Sequence, residues 1–365
     1  MKIYIPIFGF GKAGGFRVLS NLANQWIKLG HETYFICIPN KNLNYIPYYP
    51  TNAIILYFNL NGELISDFNQ YNNFSKSIFF RLRQMYGLIK AINRYSTNDD
   101  IILANYSLTA YSVFFSQKNC NKFYYIQAYE PEYFDKSLKG YISALLVTLT
   151  YKLKLIRIVN SPLYLDYKFL KSNFCVFPGI DFSIFNNNNK PPFFSNKKRI
   201  IIGCIGRIEK SKGTIDVLNA YKILQTHSIN CVLKIAVFGN EKLIDEDKSI
   251  IKTYPQNDYE LSEFYKNLDV LIAPVNLQLG AVHYPVIESM ACGTAVISTG
   301  HYPANENNSW LIPINSPVEI AKRIIEIYNN NNIAYNKSLI AFADVQNLSW
   351  ESVSNDMINI FSLSC

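Results

Sequence analysis

The sequence of 365 residues contains no uninterrupted apolar run of the roughly 20 residues that a transmembrane helix needs. Its best candidate, Tyr141–Tyr151, is followed at once by Lys152 and Lys154. The chain opens on Met1 and Lys2 and enters a β-branched run typical of a first strand, without the small-residue cleavage site of a secretory signal. We therefore expect neither a transmembrane helix nor a signal peptide.

Cysteine and histidine are too dispersed to suggest a metal site or a disulfide framework. The seven cysteines form no Cys-x-x-Cys pair, and none of the four histidines is spaced with a cysteine or a second histidine as metal ligands are. An odd, scattered set of cysteines in a chain of this length is typical of reduced thiols. We expect a cytoplasmic protein that holds neither a metal nor another cofactor.

Acidic residues are scarce in the first half of the chain. Residues 1–185 hold 19 Lys and Arg against 10 Asp and Glu, whereas residues 186–365 hold 16 against 17, so the net charges are +9 and −1. A uniformly basic protein would suggest nucleic acid, but an excess confined to one half fits a local anionic partner equally well. We consider anionic lipid head groups or a pyrophosphate-linked acceptor as that partner, and we predict no nucleic-acid binding.

Strand and helix patterns alternate along the whole chain. Strand-like runs in the first half occur at 3–7, 33–38, 54–57, 101–104, 123–126 and 155–159. A polar break at Asn186–Lys190 is followed by further strand-like runs at 200–204, 231–238, 270–274 and 295–298. This alternation predicts an α/β protein of two Rossmann-like, doubly wound domains that face a cleft, at 1–186 and 193–349.

One helical stretch in the first half has two different faces. Its apolar stripe comprises Ile78, Leu82, Met85, Ile89 and Ile92. Its basic face comprises Lys76, Arg83, Lys90 and Arg94. Two interpretations stay open: a core-packed helix with a solvated basic back, or a helix that docks on an anionic membrane surface.

A cationic loop follows the first strand of the second half. The strand delivers Arg207 to its C-terminal end, Lys212 follows five residues later, and Gly213 begins a helix. A guanidinium fork, an ammonium and a helix N-terminus around one point form the combination that binds a diphosphate. The alternative is a pair of solvated charges in a polar loop.

Residues 280–298 combine a loop, a short helix and a strand around Glu288. The helix places Glu288 within its first turns, and Gly293 ends it. A carboxylate there can accept hydrogen bonds from ribose hydroxyls, while the preceding backbone amides face phosphate. The alternative is that Glu288 is simply a favourable charge near a helix N-terminus.

These strings together resemble the retaining family 4 of glycosyltransferases, which have the GT-B fold, over nearly the whole chain. The motifs, in chain order, are Gly14-Gly15 through Ala23, Leu29-Gly30-His31-Glu32, Asn160-Ser161-Pro162, Pro178-Gly179-Ile180-Asp181 with Phe185, Gly206-Arg207 with Lys212-Gly213, Asp269 through Pro274, Pro285-x-x-Glu288-x-Met290-Ala291-Cys292-Gly293, and Ser349-Trp350-Glu351. The resemblance implies that residues 350–365 form a last helix that packs back onto the first domain and completes it.

The resemblance also implies a role for each matching residue. Arg207 and Lys212 would hold the donor diphosphate and stabilise the charge that grows on the leaving nucleotide, which makes them catalytic. The donor-binding residues implied are Gly14, Gly15, Arg207, Lys212, His283, Tyr284 and Glu288. Asp245-Glu246-Asp247 has the Asp-x-Asp pattern of metal-dependent transferases of another fold, but it lies in a polar stretch, and we expect no metal there.

Three departures from the family pattern point to a narrower resemblance. Gly280 stands where the family usually has a glutamate, residues 127–131 lack the usual histidine, and residues 299–308 lack the usual double glycine. The Gln-x-x-Glu-Pro and Tyr-Pro-x-x-Glu strings that replace them resemble rhamnosyltransferases of bacterial rhamnan and related surface polysaccharides. A deoxysugar donor such as dTDP-rhamnose would follow, with a lipid-linked oligosaccharide acceptor at the inner membrane.

Gln127 and Glu130 are the first-domain residues that we expect to face the acceptor or the sugar. For Glu130 a catalytic role as acid or base and a structural role both stay open. The missing glutamate at position 280 keeps open an inactive subunit of a polysaccharide-synthesis complex, and a nucleotide-sugar epimerase or a phosphorylase are the rival enzymes. A dinucleotide oxidoreductase is disfavoured because no acidic residue ends the second strand.

Overall fold

The structure, a computed structural model, describes residues 1–38, 46–65, 78–117, 121–188, 190, 199–227, 229–238 and 249–363. The chain divides into two compact units. The first comprises Met1–Gly179 with Trp350–Cys365, and the second comprises Ile180–Ser349. None of the helices in the described ranges combines the length and the hydropathy that crossing a bilayer requires.

The first unit is built on a parallel sheet with the strand order β3-β2-β1-β4-β5-β6-β7. Its strands are β1 (Lys2–Ile7), β2 (Glu32–Cys37), β3 (Ile54–Tyr57), β4 (Ile101–Ala104), β5 (Asn121–Ile126), β6 (Ile156–Val159) and β7 (Phe174–Cys175). Its helices are α1 (Gly14–Lys28), α2 (Ile78–Tyr95), α3 (Ser107–Phe115), α4 (Leu138–Thr150) and, from the chain end, α10 (Trp350–Leu363). Because α2 packs on α3 and α3 on α4 while α1 packs on α10, both faces of the sheet are covered.

The chain end completes the first unit. Phe361 of α10 is fully buried, with its ring centroid 5.7 Å from that of Trp26 on α1 and 4.6 Å from that of Phe123 on β5. Gly179 and Trp350 are packed so tightly that a Cβ on the glycine would lie 2.5 Å from the indole. The predicted packing of the last helix on the first domain is confirmed.

The second unit is built on a parallel sheet with the strand order β10-β9-β8-β11-β12-β13. Its strands are β8 (Ile200–Gly206), β9 (Cys231–Val237), β10 (Ile251–Thr253), β11 (Val270–Ala273), β12 (Ala295–Ser298) and β13 (Trp310–Leu311). Its helices are α5 (Thr214–Thr226), α6 (Asp258–Lys266), α7 (Tyr284–Ala291), α8 (Pro317–Asn329) and α9 (Asn331–Asp344). The strand order reverses direction between β8 and β11, which is the position where sheets of this kind bind ligands.

The boundary between the units lies before the polar break that marked it in the sequence. Ile180 donates its amide to the carbonyl of Leu348 at 2.7 Å, and Ser262 donates its hydroxyl to the carbonyl of Ile184 at 2.7 Å. These bonds tie the segment to the second unit, so residues 180–186, predicted to end the first domain, belong to the second.

The apolar stripe predicted for α2 is only partly correct: Ile92 is fully buried, Met85 and Ile89 are half-buried, and the side chain of Ile78 lies outside the described residues. The buried side of the helix includes Phe80, Gln84 and Leu88, whereas Leu82 is exposed. A close contact fixes this orientation, since a Cβ on Gly87 would lie 2.8 Å from the carbonyl of Leu60. Because Gly87 and Gln84 form part of the packed side, the pattern of hydrophobic residues alone predicted a partly different side of the helix.

The basic residues predicted on α2 are exposed where the structure describes them. Arg83, Lys90 and Arg94 lie at the surface. Arg94 donates to the carbonyl of Gly62 at 3.2 Å, and the ammonium of Lys90 lies 4.7 Å from the ring centre of Tyr86. Lys76 lies outside the described residues.

Truncating the aromatic side chain that anchors α10 tests the packing of the chain end. Phe361→Ala removes a fully buried ring, so the free energy of unfolding of the first unit should fall by about 3–5 kcal/mol. Urea unfolding followed by tryptophan fluorescence measures the change. Leu363→Ala, on the same helix but 80% exposed, is the matched control and should stay within about 0.5 kcal/mol of the wild type. Equal stability of the two variants would contradict the packing.

Candidate functional site

The end of β8 carries the predicted cationic loop of the second unit. Arg207 follows the last residue of β8, and its amide donates to the hydroxyl of Thr214, the first residue of α5, at 3.0 Å. A 3-10 turn at Lys210–Lys212 lies between them, and Gly213, with a φ of 70°, is the N-cap of α5. The loop therefore folds back on itself and brings Arg207 to the start of the helix.

Gly213 joins this loop to the one after β11. A Cβ at that position would overlap the carbonyl oxygen of Pro274, which directly follows β11. The amide of Asn276 also donates to the carbonyl of Ser211 at 2.9 Å. Because β8 and β11 flank the reversal of strand order, the two loops meet at the expected ligand position.

The charged groups of this site are close enough to perturb one another. Burial lowers the pKa of Lys212, the positive charge of Arg207 lowers it further, and Glu209 opposes the change. Burial also lowers the pKa of His283 far below its usual value, and the charges of His301, Lys212 and Arg207 add to the effect. At neutral pH the site thus holds two cations beside a neutral imidazole.

Two histidine rings lie together at the start of α7. His283 is the N-cap of that helix, and its ring centroid lies 5.1 Å from that of His301, which follows β12. Within the described part of the chain, the Nδ1 atom of His283 has no hydrogen-bond partner. The ring nitrogens of His301 face the carbonyls of Ala281 at 3.2 Å and Val275 at 3.4 Å. His301 is thereby tied to the loop after β11, and burial lowers its pKa too.

Glu288 lies on the inner side of α7. Only 2% of the residue is exposed, and its carboxylate accepts a hydrogen bond of 3.1 Å from the hydroxyl of Tyr265 on α6. The helix packs against β11, β12 and α6, which explains the burial. Tyr284, the other donor-binding residue predicted here, is the first residue of α7. The roles predicted for both residues stay predictions.

The second-unit site can bind an anion. Arg207 and Lys212 supply two positive charges, and the N-termini of α5 and α7 lie in the same loops and add backbone amides and the positive ends of two helix dipoles. An arginine fork with an ammonium suits two linked phosphates better than one carboxylate, since it offers donors over a wider arc.

In the first unit the structure brings Gly15 and Gln127 together. Gly14 and Gly15 are the first residues of α1, and a Cβ on Gly15 would lie 3.2 Å from the side-chain oxygen of Gln127. Gln127 follows β5, and its carbonyl accepts a hydrogen bond of 2.8 Å from Asn160. The glutamine amide therefore lies over the helix start, as a group facing a ligand there would.

Glu130 caps α3. Its carboxylate accepts hydrogen bonds from the Ser107 amide at 3.0 Å and the Ser107 hydroxyl at 2.8 Å, at the first residue of that helix. The hydroxyl of Tyr124 donates to it at 3.3 Å. Burial raises the pKa of Glu130 against the opposing effect of these bonds. The contacts support the structural interpretation of Glu130, and its catalytic role stays a prediction.

His301 and Tyr265 are parts of this site that the sequence motifs did not indicate. His301 lies three residues beyond β12, in a loop whose departure from the family pattern was visible but had no assigned role. Its position after a parallel strand was the available signal, since such strand ends meet at one edge of the sheet. Tyr265 carries no comparable signal because an aromatic residue in a helix usually belongs to the core.

Metal ligands are not grouped in the described part of the chain, where no three His, Cys, Asp or Glu side chains are placed to hold an ion. Asp245-Glu246-Asp247 lies outside the described residues.

Residues 199–330, which contain the cationic loop and α7, match the family model described as glycosyl transferases group 1. An uncharacterized glycosyltransferase of Methanocaldococcus jannaschii is 26% identical to this chain over 181 residues. The match covers 45% of this chain and 45% of the relative, so the chain spans less than half of the length of that curated protein. The second unit is thus similar to group 1 glycosyltransferases.

Solved structures resemble the chain over its whole length. Sucrose-phosphate synthase of Thermosynechococcus elongatus has a TM-score of 0.75 at 16% identity and covers 100% of this chain and 98% of its own. HepE of Anabaena, in complex with UDP-glucose, has a TM-score of 0.70 at 14% identity and covers 100% of both chains. The catalytic domain of starch synthase IV of Arabidopsis thaliana, bound to ADP and acarbose, has a TM-score of 0.67 at 13% identity and covers 100% of this chain and 99% of its own. The predicted GT-B fold, with two Rossmann-like domains, is confirmed.

Two substitutions at Glu130 separate its capping role from its charge. Glu130→Ala leaves the Ser107 amide without its acceptor and should lower the free energy of unfolding by about 1–2 kcal/mol. Glu130→Gln keeps one acceptor oxygen and should have a smaller effect. Because burial raises the pKa of Glu130, ionisation costs stability, so the Gln variant should gain relative to the wild type as the pH rises from acid to neutral.

Urea unfolding at several pH values measures both effects, with Glu132→Gln, at an exposed position of the same 3-10 turn, as the control. If Glu130→Ala were as stable as the wild type, the carboxylate would not stabilise the start of α3, and the capping role would be contradicted.

Proposed function

We propose that this protein is a glycosyltransferase of the group 1 type that takes its sugar from a nucleoside diphosphate donor. The observation that carries the proposal is the convergence of Arg207, Lys212 and the start of α5 at the reversal of strand order. This cluster lies within the segment that matches the glycosyltransferase family. A diphosphate is the leaving group that such a cluster suits.

The cations act most strongly when the sugar leaves. Breaking the glycosidic bond to the donor places negative charge on the diphosphate, and fixed positive groups stabilise that charge more than the charge of the intact donor. Burial lowers the pKa of Lys212, and the positive charge of Arg207 lowers it further, so the two cations repel each other. An anion between them removes that repulsion, and the same linkage raises the pKa of Lys212 when the donor binds.

For the sugar we propose a 6-deoxyhexose, with dTDP-rhamnose as the first donor to test. Gly280, with a φ of 91°, stands where the glycosyltransferase family that the sequence resembles usually has a glutamate. A pocket without this carboxylate offers fewer partners for sugar hydroxyls, which favours a sugar that lacks one of them. The neutral rings of His283 and His301 near the cations would then supply uncharged walls for the sugar.

For the acceptor we propose a lipid-linked oligosaccharide in the synthesis of a bacterial surface polysaccharide such as an O-antigen or a capsule, at the cytoplasmic face of the inner membrane. The net charge of +9 on residues 1–185 supports a pyrophosphate-linked acceptor. Gln127, which packs against Gly15 at the start of α1, is the first-unit group that we assign to it.

Removing either cation tests the donor site. Arg207→Ala and Lys212→Ala should each lower kcat/KM by about 10²–10³-fold, because each removes one charge that stabilises the leaving diphosphate. Lys210→Ala, exposed in the same turn as Lys212, is the matched control and should retain wild-type activity. Equal losses in Lys210→Ala and Lys212→Ala would indicate a general effect of loop charge and would contradict the assignment.

A panel of nucleoside diphosphates and nucleotide-sugars identifies the donor by thermal stabilisation. A donor at a hundredfold excess over its Kd adds about 2.7 kcal/mol, which raises the melting temperature by about 5–10 °C. We expect the largest shift with dTDP-rhamnose and a loss of the shift in Arg207→Ala. Consumption of donor without any acceptor would instead indicate an epimerase, and binding without turnover would indicate an inactive subunit.

A further inference from the structure

The helix α4 turns its apolar side to the solvent. Six large apolar residues follow one another at helical spacing and are all exposed, from Leu138 at 79% through Leu145 at 60%. They are Leu138, Tyr141, Ile142, Leu145, Leu146 and Leu149, which we call the α4 stripe. With a rise of 1.5 Å per residue the stripe is about 17 Å long.

Few residues of α4 face the interior of the protein, and their side chains are short. The buried residues of the helix are Gly140, Val147 and Thr150. Gly140 packs against Asp135 so closely that a Cβ would lie 2.4 Å or less from it, and Thr150 satisfies its hydroxyl with the carbonyl of Val147. A helix of a globular protein normally turns its apolar stripe inward. In α4 the order is inverted, and large exposed apolar patches of this kind mark interaction sites.

Neighbouring segments extend the apolar surface. Tyr133 and Phe134 precede α4 and are exposed, and so is Phe115 at the end of α3. The hydroxyl of Tyr111 on α3 donates to the carbonyl of Leu146 at 2.7 Å, which fixes the two helices side by side. This hydrogen bond from a side chain to the backbone holds α3 beside the middle of the α4 stripe.

The charges around the stripe are mostly positive. Residues 136–165 contain five Lys and Arg and no Asp or Glu. Lys136 and Lys139 lie exposed at the start of α4, and Lys152 and Lys154 lie exposed just after its end. The acidic residues nearest in sequence to the stripe are Glu132 and Asp135, and the carboxylate of Asp135 accepts hydrogen bonds from Ser137.

A basic groove lies at the end of α4. It has a volume of about 490 Å³ and is lined by Lys122, Lys152, Lys154 and Arg157, among others. Lys122 and Arg157 donate to backbone carbonyls. The exposed ammonium groups of Lys152 and Lys154 are thus the ones that can meet a phosphate from outside.

We propose that the α4 stripe docks this protein on an anionic lipid bilayer, with α4 lying in the plane of the membrane surface. An amphipathic helix in this position buries its apolar side by about 5–10 Å, and lysines at its ends meet the lipid phosphates. Charge complementarity selects this occupant, because a rim of lysines around an apolar stripe matches an anionic surface over an apolar interior. A second copy of the chain would bring two rims of equal charge together.

The proposal moves the membrane contact from the basic residues of α2 to α4. The two helices lie on the same side of the sheet with α3 between them. Phe79, Leu82 and Tyr86 of α2 are also exposed, beside Arg83 and Lys90, so α2 contributes at the edge of the surface. Docking does not depend on glycosyl transfer, since it involves no residue of the donor site.

Flotation of the full-length protein with vesicles, without donor, tests the proposal. We expect binding to vesicles that contain phosphatidylglycerol and much weaker binding to pure phosphatidylcholine. The double variant Leu145→Glu/Leu146→Glu should lower the partition coefficient at least about tenfold, because two apolar contacts are lost. Lys136→Gln and Lys139→Gln should each lower it about fivefold on the anionic vesicles and leave it unchanged on the neutral ones.

Val318→Glu, on α8 of the second unit and 63% exposed, is the matched control and should bind as the wild type does. Because all these positions are exposed, the variants should keep the wild-type melting temperature, and donor binding measured without vesicles should be unchanged. Failure of the wild type to float, or equal flotation of the Leu145→Glu/Leu146→Glu variant, would overturn the proposal.

A dimer of the wild type would also overturn the proposal if sedimentation detects it without lipid and the Leu145→Glu/Leu146→Glu variant abolishes it. A second copy of the chain would then cover the stripe. None of these results depends on whether the protein transfers a sugar, so the two proposals fail separately.

Discussion

The close approach of Gly213 to Pro274 is the constraint on which the candidate donor site depends. Gly213 has a φ of 70°, and a side chain there would overlap the carbonyl of Pro274, so the position requires glycine. This turn starts α5 beside Arg207 and carries Lys212 toward the guanidinium. The cationic centre therefore follows from backbone packing between the loops after β8 and β11.

Two cations held this way determine the state of their neighbours. Burial and the charge of Arg207 lower the pKa of Lys212, and burial with the charges of Lys212 and Arg207 lowers the pKa of His283. A proton on either histidine ring would add to the repulsion between Arg207 and Lys212. The site therefore has a charged part, formed by the two cations, and an uncharged part, formed by the two imidazoles. That division matches a nucleotide-sugar, in which an anionic diphosphate is joined to a neutral sugar.

Sequence patterns predicted the fold and the position of Arg207 and Lys212, because strand ends and glycines are local signals. They did not predict where Glu288 points, since its burial depends on Tyr265, which belongs to another helix. The stripe predicted for α2 was only partly correct for a related reason: Gly87 and Gln84 form part of the packed side, and neither is hydrophobic. Orientation comes from contacts between elements, which no single stretch of sequence contains.

The direction of the α4 stripe could not be predicted from the sequence either. Its spacing in the sequence is that of an ordinary core helix, and the outward direction appears only when the small residues Gly140, Val147 and Thr150 are seen against the protein. Once this direction is known, the positions of the charges indicate a binding surface, which the net charge of +9 on residues 1–185 alone could not locate. Four exposed lysines, at positions 136, 139, 152 and 154, lie at the two ends of an apolar surface, and exposing such a surface to water has a cost that an anionic bilayer removes.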